Sequence, residues 1–200
     1  MESAKVFFEK IAKDWSKNHH EKSNQKLRKI FDQRIPELQA PVLDAGSGTG
    51  VLIPFLYDKI KNEKCIVEYD IAFNMLMRAK VQHISYREVY YAEGDGHDIG
   101  FKERSFGTIF CFRFIPHLED KKKALKEFYR ILVPGGRFFI LHFMDHKGLN
   151  HLHRGAEPPI HSHKMPPAAE LTQIIELAGF DVEDYEEKED LYFVQAIKRR

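Results

Sequence analysis

The order of apolar and amphipathic segments predicts an α/β protein: a doubly wound, mostly parallel sheet of seven strands, helices on both faces, and an antiparallel hairpin at the C-terminal end. Three observations carry that prediction. Short apolar runs alternate with helix-period stretches from residue 41 to residue 143. The first run, Val42-Leu43, leads into an acid and three alternate glycines, VLDAGSGTG over 42–50. The last two runs, 181–187 and 191–197, are separated by only a short acidic turn.

The elements follow in order. Residues 3–15 and 21–35 read as helices: Phe7, Phe8, Ile11 and Trp15 recur at helical steps, as do Leu27, Ile30, Phe31 and Ile35. Pro36 stops the second, having no N–H to give. Strand 41–45 comes next, then helix 50–60, strand 65–69, helix 73–82, strand 88–92, strand 108–112, helix 119–132 and strand 136–143. A last helix over 168–178 ends at Gly179, which suits the left-handed position after a helix. No repeat, linker or low-complexity tract interrupts the pattern, and residues 1–200 read as one domain. Within it, 1–36 would be helices over a pocket and 144–167 a histidine-rich insertion on the substrate side.

Composition narrows the function classes. Thirty-one basic against thirty acidic side chains leave a formal charge of +1, so nothing draws the chain as a whole to nucleic acid or an anionic membrane. The KKK at 121–123 and KRR at 198–200 are short enough to be solvated surface. No run of eighteen apolar residues and no leader-like start are present, so a soluble, cytoplasmic protein is expected. Cys65 and Cys111 fall in predicted buried strands, where cysteine is a small hydrophobe.

The glycine-rich turn carries the chemistry. A strand ending in a glycine loop that opens a helix offers free backbone N–H groups and a positive dipole end, a cradle for a nucleotide-type cofactor. The dinucleotide fingerprint G-x-G-x-x-G needs a third glycine at position 51, which is Val51. Asp44, two residues before Gly46, would repel a pyrophosphate and suit a cation. A nicotinamide enzyme is therefore disfavoured. Asp70 closes the second apolar run and sits where such folds grip ribose hydroxyls.

The spacing D-x-G-x-G-x-G resembles the first motif of class I S-adenosylmethionine (SAM)-dependent methyltransferases, a Rossmann-like family. IAFNMLMRAK resembles that family's D-x-S-x-x-M-L stretch, with Ala72 where serine is common, and VYYAEGDGHDIGF its third-strand end. SFGTIFCFRF matches its fourth strand, except that Gly107 stands in place of the usual aspartate. The resemblance covers about residues 38–198 and is closest in look to the ubiquinone/menaquinone C-methyltransferase-like (methyltransferase type 11) group, whose opening segment FFEKIAKDWSKN also resembles. It implies SAM as cofactor and a small-molecule methyl acceptor. It also implies a cofactor site made of Asp44, Gly46, Ser47, Gly48, Gly50, Asp70, Ile71, Met75, Asp95, Gly96 and Phe112. Asp44 would work around the methionine amino group, Met75 would lie near the adenine, and Asp95 would accept from the adenine amino group. Phe7, Phe8 and Trp15 would either close the pocket or form helix core.

The acceptor side is individual. Six of the eleven histidines lie between 142 and 163, the segment that covers the acceptor in this fold. His117, just after the fourth strand, is a candidate base, with Arg113 beside it; His142 and His153 are further candidates for acceptor binding or proton transfer. Arg154 would hold an anionic acceptor or pair with Glu157. Two pairs have H-x-H spacing, which places both imidazoles on one side of an extended chain but about 200° apart on a helix. GLNHLHR looks helical, so His161 and His163 are the better metal-chelating pair, against the plainer reading of a polar lid. Three functions stay open: a methyltransferase without metal, a metal-assisted one, and a SAM-binding module without catalysis.

Overall fold

A computed structural model describes residues 3–15 and 21–199. Its centre is a seven-stranded sheet, mostly parallel with a C-terminal antiparallel pair. The strands are β1 (Val42–Ala45), β2 (Ile66–Asp70), β3 (Val89–Glu93), β4 (Phe106–Phe112), β5 (Leu132–His142), β6 (Phe180–Lys188) and β7 (Leu191–Lys198). Their spatial order is β3-β2-β1-β4-β5-β7-β6. The first five run parallel, and β7 enters antiparallel between β5 and β6. The order reverses beside β1, so the ends of β1 and β4 open a crevice there.

Among the described residues seven α-helices accompany the sheet: α1 (Ala4–Trp15), α2 (Glu21–Arg34), α3 (Ile53–Lys59), α4 (Phe73–Gln82), α5 (Lys121–Ile131), α6 (His146–Arg154) and α7 (Ala168–Leu177). β4 shows how the layers form. It is buried along its whole length, and its side chains alternate between two cores. Ile109 and Cys111 pack with Phe138 and Ile140 against α5 and α7. Phe110 and Phe112 pack with Phe139 and Leu141 against α2 and α3. On that second face Phe110 stacks between Phe31 and Phe139, with ring centroids 5.6 and 4.7 Å away.

Two element starts differ from the sequence pattern for local reasons. The helix expected from residue 50 starts at Ile53, because 46–52 is spent on the turn of the glycine loop. The strand expected from 136 starts at Leu132: Pro134-Gly135-Gly136 forms a bulge, with Phe106 opposite Leu132 and Thr108 opposite Arg137. Gly107 lies at that bulge. A Cβ there would come within 2.5 Å of the Gln39 carbonyl oxygen, so the missing aspartate gives way to close backbone packing. No described helix is long and apolar enough to cross a membrane.

Candidate cofactor and acceptor site

The cleft lies over the C-terminal ends of β1, β2 and β4 and is roofed by α1, which contributes Phe8 and Trp15 to its wall. Gly46 has φ +69, and a Cβ on it would run into the Phe114 ring. The loop backbone is thus pressed to the cleft wall where no other residue fits. Its position is set by Asp70: one carboxylate oxygen accepts from Gly48 N at 2.8 Å and the other from Ala72 N at 2.9 Å. Burial raises the Asp70 pKa, and these backbone N–H groups oppose the rise. Each oxygen keeps a lone pair for a hydroxyl donor.

Asp95 sits at the next strand end. Its Oδ1 accepts from His97 N at 2.8 Å and from the His97 ring at 2.6 Å. Burial pushes this carboxyl up, but the His97 backbone and ring outweigh it and leave its pKa lowered. His97 Nε2 accepts from Asp120 N at 3.2 Å, so the proton belongs on Nδ1, facing Asp95.

Gly46, Ser47, Gly48, Asp70, Ile71, Met75, Asp95, Gly96 and Phe112 line this one cleft together with Arg113 and His117. Asp44 and Gly50 do not. Asp44 is 1% exposed at the end of β1, beneath the loop, and its Oδ1 has no hydrogen-bond partner. Gly50 is enclosed by Ile53, Ala79 and His83. The cradle fits a group with ribose hydroxyls and an adjacent cation: it offers the Asp70 carboxylate, a glycine backbone without side chains, and an orphaned acid below.

At the other end of the cleft the histidines meet. His117 closes a short 3-10 turn, Ile115–His117, after β4. Its Nδ1 lies 2.8 Å from His163 Nδ1, so one donates to the other. His153 Nδ1 donates to the His163 carbonyl at 2.9 Å, and its ring lies 5.5 Å from that of His117. Burial, then the neighbouring His163, His153 and His142, then Lys121, hold the His117 pKa well below the ordinary value. His142 is pushed down to about 3 by burial and by Arg113, and its Nδ1 is buried without a partner. The Phe8 ring meets His117 edge-on at 5.1 Å, so α1 touches this end as well. Arg113 has φ 58, a left-handed backbone rare for a long side chain, with its guanidinium 4.9 Å from the Phe112 ring centre.

The metal pair expected from H-x-H spacing does not form as reasoned. Ile160–Ser162 is a 3-10 turn, not an extended chain. His161 is exposed while His163 is buried against His117, so the two imidazoles face apart. Among the described residues no group of three or more His, Cys, Asp and Glu side chains is arranged to hold a metal. Arg154 does not meet Glu157 either; it reaches His151 at 3.5 Å. His146 is committed to Glu187 at 2.6 Å.

Two residues escape sequence reasoning. Glu9 on α1 accepts from Phe73 N and Asn74 N, at 2.8 and 2.9 Å, and so caps α4 where Ala72 cannot. The absent serine at position 72 was the only signal. Glu68, in mid-strand, is fully buried with both oxygens unpartnered. Its acid within an apolar run was visible but pointed to nothing.

The fold is the Rossmann-like one of solved SAM-dependent methyltransferase structures such as that from Aquifex aeolicus, which superposes with TM-score 0.64 at 22% identity. Residues 43–140 match the Methyltransf_11 family, described as a methyltransferase domain, and this similarity together with that to the relatives below supports a SAM-dependent methyltransferase of that type. It is 32% identical over 119 residues to the ubiquinone/menaquinone biosynthesis C-methyltransferase UbiE of Rickettsia prowazekii, covering 56% of this chain and 48% of that protein. It is 30% identical over 146 residues to a "Probable S-adenosylmethionine-dependent methyltransferase" of Mycolicibacterium smegmatis, covering 72% and 52%. The chain thus spans about half the length of the curated relatives it matches. A chain in the complex of the Haloferax volcanii Trm112 methyltransferase activator with a methyltransferase superposes with TM-score 0.81 over all of both chains, at 17% identity.

Proposed function

We propose that this chain binds SAM in the cleft and transfers its methyl group to a small-molecule acceptor seated against His117. The observation that carries the reading is the double grip of Asp70 on Gly48 N and Ala72 N, which presents a fixed carboxylate beside a bare glycine loop. In this reading Asp70 takes the ribose hydroxyls and Gly46, Ser47 and Gly48 the methionine part. Asp95, Gly96 and Met75 take the adenine, with Ile71 and Phe112 as walls. Asp44 acts on the ammonium from beneath, and Gly50 shapes the turn. In the same reading the described part of 1–36 and the insertion 144–167 cover the pocket of a single domain.

The cofactor supplies a methyl group on a sulfonium, already a good leaving group. The chain's own work is orientation and exclusion of water, for which alignment of the reactants is worth roughly 7–11 kcal/mol. Phe8, Trp15 and Phe114 wall the cleft. With Nδ1 engaged by His163, His117 has Nε2 left to take a proton from a hydroxyl, amine or activated carbon, a contribution of about 10²–10⁴-fold. His142 shapes this end as a neutral imidazole, and His153 shapes it through its hydrogen bond to the His163 carbonyl. Calorimetric titration with SAM and with NAD⁺ tests the reading: saturable SAM binding, lost in Asp70→Ala, is expected, and preference for NAD⁺ overturns it. Metal analysis of untagged protein separates a metal-assisted enzyme from this one. His117→Ala should keep SAM affinity and slow turnover; unchanged turnover removes His117 from the mechanism.

We also infer a protein partner on the β3 edge. Phe73, Met77 and Val81 stand exposed at successive four-residue steps of α4, which packs on β3, and Tyr90 is exposed on that edge strand. An open strand beside an apolar helix line suits strand addition by a small activator, the kind of protein present in the Haloferax complex. Co-elution with a Trm112-type protein, abolished by Met77→Lys with Val81→Lys, is the expected result; co-elution unaffected by those changes overturns it.

A further inference from the structure

Beneath the glycine loop lie two acids with no ion-pair partner among the described residues. Asp44 and Glu68 are register partners on the parallel strands β1 and β2, so their side chains leave the same face of the sheet. They are 1% and 0% exposed. Asp44 Oδ1, Glu68 Oε1 and Glu68 Oε2 have no hydrogen-bond partner. Ser47, 8% exposed and with its hydroxyl also without a partner, lines the cleft above. A buried carboxylate pair without donors or cations cannot keep two negative charges.

We propose that Asp44 and Glu68 share a proton beneath the loop in the empty protein, and that seating an amino-acid ammonium on the loop above expels it. This rests on the cofactor reading given above and adds Glu68 to it, as a positioning residue that acts through Asp44. The step balances simply: one carboxyl proton passes to solvent, and the pair's new negative charge faces the ligand's ammonium.

The surroundings agree from every strand that flanks the pair. On β1 and β2 each acid is raised well above its ordinary pKa, by burial first and then by the other acids: Asp70 for Asp44, and Asp44 with Asp70 for Glu68. Tyr91, opposite Glu68 on β3, and Cys111 on β4 are raised in turn by burial and then by Glu68 and Asp44 respectively. Two coupled carboxyls of this kind titrate as a unit.

The test is calorimetry with S-adenosylhomocysteine in buffers of different ionisation enthalpy. About one proton released per ligand bound near pH 7 is expected, with affinity rising up to about tenfold per pH unit where the pair is protonated. 5′-Methylthioadenosine, which lacks the ammonium, should release none. Glu68→Gln should abolish the release and flatten the pH dependence while binding persists. Binding by the unaltered protein without proton release overturns the proposal whatever the variant does; release undiminished in a folded Glu68→Gln removes Glu68 from it. No binding of S-adenosylhomocysteine at all is a different failure, since it takes down the cofactor reading and this inference with it.

Discussion

Gly46 and His142 show how single side chains set the site. At Gly46 an alanine would meet both the Phe114 ring and a left-handed backbone, each costing on the order of 1–3 kcal/mol. Gly46→Ala is expected to lower thermal stability and SAM affinity together, and adding Phe114→Ala should recover part of the stability and not all, because the φ strain remains. A Gly46→Ala protein with unchanged melting and binding would refute the close-approach argument. His142 makes a prediction in pH. Its folded pKa, near 3, lies below the ordinary value of about 6.5, so the unfolded chain binds its proton first. Its contribution to stability is present above about pH 6.5 and is lost as pH falls toward the folded value, by up to about 1.4 kcal/mol per pH unit. The raised Asp44 and Glu68 act with the opposite sign: their stabilisation is present at low pH and lost as pH rises through their folded pKa values. The comparison must therefore be between proteins. His142→Leu should gain on the parent protein as pH drops from 6.5 to about 5, measured by denaturant titration; a pH-independent difference would sink the claim.

Among the elements, α1 is held to α4 by an acid, Glu9, beside its pairing of Lys5 with Glu93 and its apolar contacts. Glu9 holds the first turn of α4 by two backbone N–H groups, and capping bonds of this sort are worth about 0.5–2 kcal/mol. Glu9→Ala should release α1 with little change in global melting: amide protection along 4–15 should fall and, because Phe8 and Trp15 line the cleft, SAM affinity with it. Protection confined to its parent value would mean that the apolar contacts of Ala12 with Ala72 and Met75 suffice. The strands and helices were largely legible, because alternation and helical periodicity survive in the sequence over 41–143 and 168–198. What was not legible is pairing at a distance. Glu9 and Phe73 are 64 residues apart, and nothing in either stretch announces the other. The same holds for His117 and His163, 46 apart: spacing suggested that His163 works with His161, and folding gave it to His117 instead.

For the molecule as a whole, the strand order β3-β2-β1-β4-β5-β7-β6 explains why one cleft gathers residues from 46 to 119. It was readable in outline, since the glycine loop and the acids at successive strand ends point to a shared edge. Asp44 shows the limit of that reading: a motif position can be right for the fold while its side chain lies under the site and not in its wall. A ligand that binds only the folded chain stabilises it, by about 2.7 kcal/mol at a hundred times its dissociation constant. SAM should accordingly raise the melting temperature of the parent protein and leave Asp70→Ala unmoved; an equal rise in both would place the ligand elsewhere.

The Glu9 tie also bears on timing. The acid that fastens α1 grips residues 73 and 74, and Asp70 grips residue 72 from the other side of the same bend. Roof and floor are therefore pinned to one five-residue stretch of backbone. On the proposed reading, a cofactor leaving past Phe8 and Trp15 would be timed in part by how often Glu9 lets go of that outer pair of bonds.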